Sequence, residues 1–233
     1  MDLKKFNGKK IIIAGSEGIL GKMIQEGFER LGNEVVGWDL LLGHDLTDEQ
    51  FVIKSMEKYR GFDILITPFT LNPQPGESSW DLFNLPLESL EKYLKVNLLA
   101  LFSVCREFAK RCNEGSSIIN FSSIYGVRSP KHFIYQEGFE KHIGYTITKA
   151  GVIGMSKYLA TYLAPKIRVN TIIPGGVENN QDPEFTKNYS DMTPLGRMMK
   201  KEELLNAVLY LASDTSSYTT GSVLTVDGGW TSW

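Results

Sequence analysis

Short apolar runs alternate with stretches of helical periodicity along the whole chain. Ile11–Ala14, Glu34–Trp38, Asp63–Thr67, Ser117–Phe121, Arg168–Ile173 and Val223–Val226 predict strands. Several are apolar at most positions, as expected of strands covered on both faces. Between them, apolar residues recur with helical spacing over Leu20–Leu31, Glu49–Tyr59, Leu87–Arg111, Tyr145–Leu163 and Lys201–Leu211. The alternation predicts an α/β fold, a doubly wound parallel sheet of Rossmann type with helices on both faces. No repeat, low-complexity tract or Pro/Gly-rich linker divides the pattern, so residues 1–233 read as a single domain. One connection breaks it. Too few residues lie between Asp39 and Asp45 for a helical crossover, which needs about ten or more, so the helix after the second strand is shortened or absent.

Composition narrows the function. Of 233 residues, 42% are hydrophobic and 22% charged, with a formal net charge of −2, an ordinary globular balance. No basic field points to nucleic acid, and no apolar run approaches the roughly 18 residues that cross a bilayer. Met1–Lys5 carries positive charge, but Ile11–Ala14 is too short for a signal-peptide core. Cys105 and Cys112 lie two turns apart on one predicted helix, roughly 10 Å, too far for a disulfide. They read as free thiols in a reducing compartment, the cytoplasm. No metal-binding cluster is expected.

Three local patterns carry chemistry. After the first strand, Gly15-Ser16-Glu17-Gly18-Ile19-Leu20-Gly21 opens a helix. Glycines there let backbone turn tightly and approach a pyrophosphate, with the helix N-terminal N–H groups facing its charge. Three glycines can also be a plain strand–helix turn. Asp39 ends the second strand, where a carboxylate can accept hydrogen bonds from the adenosine ribose, although a strand-end acid is as often merely solvated. With Glu17 it places negative charge where a 2′-phosphate would sit, which favours NAD over NADP.

Tyr145 and Lys149 are spaced i,i+4 on one helix face. A phenol titrates near 10, and a neighbouring cation stabilises its anion and lowers that value. The spacing alone proves little, because Tyr162 and Lys166 repeat it, with Pro165 interrupting the helix. Context separates the two. Upstream of Tyr145, Ile118-Ile119-Asn120-Phe121-Ser122-Ser123 reads as a buried strand ending in hydroxyls at the sheet edge where α/β ligands bind. Asn97 is a polar residue in the apolar helix Leu87–Arg111, either functional or a packing amide.

In this order, the glycine loop, strand-end acid, helical Asn97, Ser122-Ser123, Tyr145-x-x-x-Lys149, Asn170 with Pro174-Gly175-Gly176, and the terminal Val226-Asp227-Gly228-Gly229 resemble the short-chain dehydrogenase/reductase family over nearly the whole chain. The resemblance implies Tyr145 as general acid/base and Lys149 as the residue that holds the nicotinamide ribose and depresses the tyrosine pKa. It implies Ser123 orienting the substrate oxygen and Asn97 holding a proton-relay water. Gly15, Ser16, Gly18, Ile19 and Gly21 would meet the cofactor phosphates, Asp39 the ribose, and Asp45 and Leu46 the adenine. Pro174, Gly175, Val177 and Asn179 would line the nicotinamide. A small-molecule substrate is implied, as is a homodimer or homotetramer built on the two long helices, whose Leu98, Leu101, Phe102, Tyr158 and Leu159 exceed what one sheet face covers.

The chain also departs from the family. Its glycines follow G-x-x-G-x-x-G, as in the extended, sugar-nucleotide-modifying branch. Thr67-Pro68-Phe69-Thr70 replaces the usual Asn-Asn-Ala-Gly, and Asn179 stands for the usual Thr. The stretch between Ser123 and Tyr145 is unusually long and carries Arg128, Lys131, His132, Lys141 and His142 against Glu137 and Glu140. It is expected to loop out beside the site and hold an anionic group. Residues Ser122–Gln181 most resemble bacterial flagellin-modification oxidoreductases of legionaminic-type sugar pathways. That points to hydride transfer on a secondary alcohol or ketone of an amino or phosphorylated sugar. A reductase of another small carbonyl or a pteridine, and a cofactor-binding protein without turnover, are the competing readings.

Overall fold

The computed structural model describes residues 6–72 and 82–233; the charged start Met1–Lys5 lies outside the described residues. All six expected strands form: β1 Lys10–Ala14, β2 Glu34–Trp38, β3 Ile64–Thr67, β4 Ser116–Phe121, β5 Ile167–Pro174 and β6 Val223–Val226. They pair in parallel in one sheet of order β2-β1-β3-β4-β5-β6. The chain runs from β1 to β2 on one side of it and returns to β3 on the other. The sheet order therefore reverses at β1, and the crevice beyond the strand ends there is where such folds bind ligands.

Both faces of the sheet are covered, which is why its central strands are rich in apolar residues. On one face Ile12, Leu65, Ile118 and Val169 pack with α2 (Glu49–Lys58), α4 (Leu101–Ala109) and α5 (Ile143–Leu163) through Val52, Phe108 and Leu159. On the other, Ile11, Ile13, Ile66 and Ile119 meet α1 (Ile19–Arg30) and α7 (Leu205–Ala212) through Ile24, Phe28 and Val208.

The short link after β2 holds only a 3-10 turn, Leu40–Leu42, closed by Gly43 at φ +78°. Asp39 caps it, accepting from Leu41 N–H at 3.0 Å. The chain then enters α2 directly. The helix expected over Leu87–Arg111 is instead α3 (Leu87–Leu94), a wider π segment at Lys95–Ala100, and α4. Lys201–Leu204 is a 3-10 turn leading into α7. One helix was not expected, α6 at Pro183–Asp191, although Asp182 and Pro183 are a cap and first-turn pair. Both cysteines are free thiols, and burial pushes Cys105 up to about 12. No helix among the described residues is long and apolar enough to cross a membrane.

Candidate active site

A cavity of about 1010 Å³ runs along the C-terminal edge of the sheet, from the loop after β1 to the start of α5. At the first end, Gly15 sits at φ +97°, and a Cβ there would lie 2.5 Å from the Phe69 nitrogen. A Cβ on Gly21 would lie 1.9 Å from the Gly15 carbonyl. These two glycines are required by the protein's own packing. Gly18 is different: its Cβ would meet nothing closer than 3.5 Å, yet the residue caps α1 without a side-chain bond and faces the cavity. The space beside it and the N–H groups opening α1 suit a dinucleotide pyrophosphate. Ile19 and Gly21 also line the cavity, whereas Ser16 is turned away, with its side chain buried against Gly37 and its N–H donating to Trp38 O at 3.2 Å.

Asp39 lies at the same end, accepting from Glu17 N–H at 3.1 Å as well as from Leu41. Two backbone bonds hold the carboxylate at the rim and leave it capacity to accept from ribose hydroxyls. Glu17 is not the free negative charge its sequence position suggests, because Lys22 pairs with it at 2.9 Å. Asp45 and Leu46 line the cavity too. The Thr47 hydroxyl, donating to Asp45 at 2.7 Å, holds that carboxyl below its usual range. In the loop after β3, where Thr67-Pro68-Phe69-Thr70 departs from the family pattern, Pro68 offers no N–H and Phe69 N–H donates to Ala14 O at 3.1 Å. Phe69 thereby seals the floor beneath Gly15.

At the other end, β4 delivers Phe121, Ser122 and Ser123 to the first turns of α5. Ser122 Oγ donates to Lys149 O at 2.7 Å, and Lys149 Nζ donates to Phe121 O at 3.0 Å, which locks strand end to helix. Lys149 is only 3% exposed and Tyr145 8%, with the ammonium 5.6 Å from the phenol ring centroid. Burial pushes Lys149 down to about 7. Burial also pushes Tyr145 up, while the Ser123 hydroxyl works against that by favouring the phenolate. Ser123 caps the turn Ile124–Gly126, so its position is fixed by backbone. His142 caps α5 through Nδ1, which accepts from Gly144 N–H at 3.0 Å, and its ring stacks on Tyr93 at 4.1 Å.

Asn97 does not line the cavity. Its side chain accepts from Leu71 N–H at 2.7 Å and donates to Leu71 O and Thr148 Oγ1, both at 3.1 Å. It ties the π segment to α5 and to the strand-end loop after β3. Pro174, Gly175, Val177 and Asn179 all line the cavity. Of the cations in the stretch before Tyr145, only Lys141 reaches it. Arg128 is exposed away from it, Lys131 lies 5.1 Å over the Trp230 ring, and His142 is the helix cap. The expectation of a basic rim is corrected on those residues. The aromatic wall of Tyr135, Phe139, Phe185 and Tyr189 was not among the expected features. The available signal was the i,i+4 spacing of each pair.

Comparison with known proteins places these features. The family model described as Enoyl-(Acyl carrier protein) reductase, of short-chain dehydrogenase type, matches residues 6–231. The chain is 32% identical to the 3-oxoacyl-acyl-carrier-protein reductase FabG of Aquifex aeolicus, over 95% of this chain and 87% of that protein. It is 29% identical to an L-rhamnose 1-dehydrogenase (NAD(P)(+)) of a Sphingomonas species, over 93% of this chain and 83% of that one. Among solved structures, a short chain dehydrogenase from Leptospira borgpetersenii with bound NAD+ superposes with a TM-score of 0.86 at 30% identity, covering 99% of this chain and 96% of that one. The chain belongs to the short-chain dehydrogenase/reductase family and is an oxidoreductase.

Proposed function

We propose that residues 1–233 act as one NAD-dependent catalytic domain, moving a hydride between nicotinamide and a secondary alcohol or ketone of an amino or phosphorylated sugar. The observation that carries this reading is the buried Tyr145–Lys149 pair beside Ser123, in the same cavity as the Gly18 cradle and Asp39. The nicotinamide supplies or accepts the hydride when bound. In the reductive direction Tyr145 Oη gives its proton to the carbonyl oxygen, a role suited to a phenol that burial keeps protonated. Ser123 orients that oxygen. Lys149 holds the nicotinamide ribose and stabilises the phenolate left behind. Asn97 has its side chain fully engaged, so a relay water at this residue would be met by the backbone of the π segment. Asp39 accepts from the adenosine ribose and repels a 2′-phosphate; with Glu17 paired to Lys22, Asp39 carries that selectivity.

The sugar substrate draws its support from the resemblance of residues 122–181 to flagellin-modification enzymes and from the rhamnose dehydrogenase relative. A role in surface- or flagellin-glycan biosynthesis in the cytoplasm follows from that resemblance. A second reading, reduction of a 3-oxoacyl thioester, is favoured by the 32% identical reductase. Fluorescence titration with NADH and NADPH, followed by turnover on keto-sugars and a 3-oxoacyl thioester, tests both. NADH binding at least tenfold tighter, about 1.4 kcal/mol, with turnover of a keto-sugar, is expected. A preference for NADPH, or binding with no turnover on either class, overturns the first reading, and turnover of the thioester alone establishes the second.

The protein is further proposed to assemble as a homodimer or homotetramer. Leu101 and Leu159, counted on the outer faces of the long helices, lie in the core, but Phe102 and Tyr158 are exposed, joined by Leu99 and Tyr162. Such an apolar surface on a helix pair is what a second copy covers. Light scattering at micromolar concentration is expected to give a multiple of the 26.2 kDa chain, and a monomeric mass contradicts it.

A further inference from the structure

The proposed mechanism leaves one half-buried cation in the cavity unused. Lys141 immediately precedes the residue that caps α5, and the cap bond and ring stack of His142 fix where the chain turns there. Its ammonium lies 4.7 Å from the Tyr145 ring centroid and donates to Asn72 Oδ1. Among the described residues it has no carboxylate within ion-pair distance, in contrast to Lys22, Lys110 and Lys187. Asp182, on the same cavity wall, is committed to capping α6, accepting from Glu184 N–H at 2.9 Å and Phe185 N–H at 3.1 Å. The flanking walls are aromatic, with Tyr135 and Phe139 at 5.0 Å and Tyr135 and Phe185 at 5.2 Å between ring centroids.

An ammonium in such surroundings is costly unless a negative charge joins it. Burial alone pushes it down to about 8. A structural lysine has no need of this position, since the hydrogen bond to Asn72 could be made by a neutral amide. The same low-dielectric walls that penalise the lone cation strengthen its attraction for an anion entering the cavity. Proximity to Tyr145 sets where that anion lies on the substrate: close to the carbon whose oxygen meets the phenol.

We propose that Lys141 anchors an anionic group, a carboxylate or a phosphate, borne by the substrate near its reacting carbon. The assignment rests on the oxidoreductase reading of this cavity and narrows its substrate to acidic or phosphorylated carbonyl compounds. It also replaces the broad basic rim expected of the inserted stretch with a single point charge, which suits Lys rather than the bidentate geometry of Arg.

Calorimetric titration of malonate, inorganic phosphate and neutral malonamide into the NADH-saturated protein tests it. Malonate or phosphate is expected to bind at least tenfold tighter than malonamide, and the tighter of the two identifies the substrate's anionic group as carboxylate or phosphate. Lys141→Met and Lys141→Gln are each expected to weaken that anion at least tenfold while NADH affinity stays within twofold. Absence of anion binding to the unsubstituted protein, or equal anion binding by a substituted protein that still binds NADH, overturns the assignment and leaves the oxidoreductase reading intact. Failure of the unsubstituted protein to bind NADH overturns that reading instead, and the same titration of the cofactor-free protein then still decides whether Lys141 binds anions.

Discussion

Helix α5 begins with one tyrosine–lysine pair and runs out at another, and the two have the same sequence spacing. Tyr145 is 8% exposed and Tyr162 73%. Lys149 donates to a strand-end carbonyl inside the cavity, whereas the Lys166 side chain is 71% exposed and reaches Glu114 at 3.6 Å. The difference comes from the partners the fold supplies. The first pair faces the C-terminal end of β4, where Phe121, Ser122 and Ser123 replace water around both groups. The second straddles the end of the helix, with Tyr162 in the last turn before Leu163 and Lys166 beyond Pro165, and its groups stay solvated. Spacing places two groups on one face of a helix; burial against a strand end is what suits the first pair to the proposed roles of an acid and its electrostatic support.

The contrast can be broken from either side. Lys149→Ala removes the cation from the buried pair, so turnover is expected to fall by about 10²-fold or more, with NADH bound roughly tenfold more weakly. Steady-state kinetics and fluorescence titration read the two effects separately. Weaker NADH binding with unchanged turnover would confine Lys149 to holding the cofactor. Lys166→Ala is the matched control at the exposed pair. Both quantities are expected to stay within twofold, because an ion pair this open to solvent contributes little. A large loss there would mean that the helix end, not the buried pair, governs the site.

The same logic of burial explains what was legible in the sequence. Helices covering the sheet leave its strands as short apolar-rich runs, so all six were visible, and the shortened link after Asp39 was visible from chain length alone. Family motifs pointed to Ser123, Tyr145 and Lys149, which the fold brings to one cavity, because their order along the chain is informative even where each alone is weak. The rest depended on side-chain direction. Nothing in the pattern of Ser16, Arg128 or Lys131 tells that the first points into the protein and the others away from the cavity. Nor does it tell that Lys22 reaches back to Glu17. Helical periodicity over Leu87–Arg111 could not register the π segment, since a single wider turn leaves the apolar face nearly continuous. Helix α6 is short and mostly polar, with only Tyr189 buried, so its cap was its one local signal.

The measurement that most directly tests the account replaces the phenol at each end of α5. Tyr145→Phe and Tyr162→Phe both delete one hydroxyl and keep the ring. With a keto-sugar that the unsubstituted protein reduces, Tyr145→Phe is expected to lower kcat by about 10²-fold or more while NADH affinity stays near its original value. Tyr162→Phe is expected to change neither. Substantial turnover by Tyr145→Phe, with the protein folded and NADH bound, would contradict the assignment of proton transfer to the buried phenol.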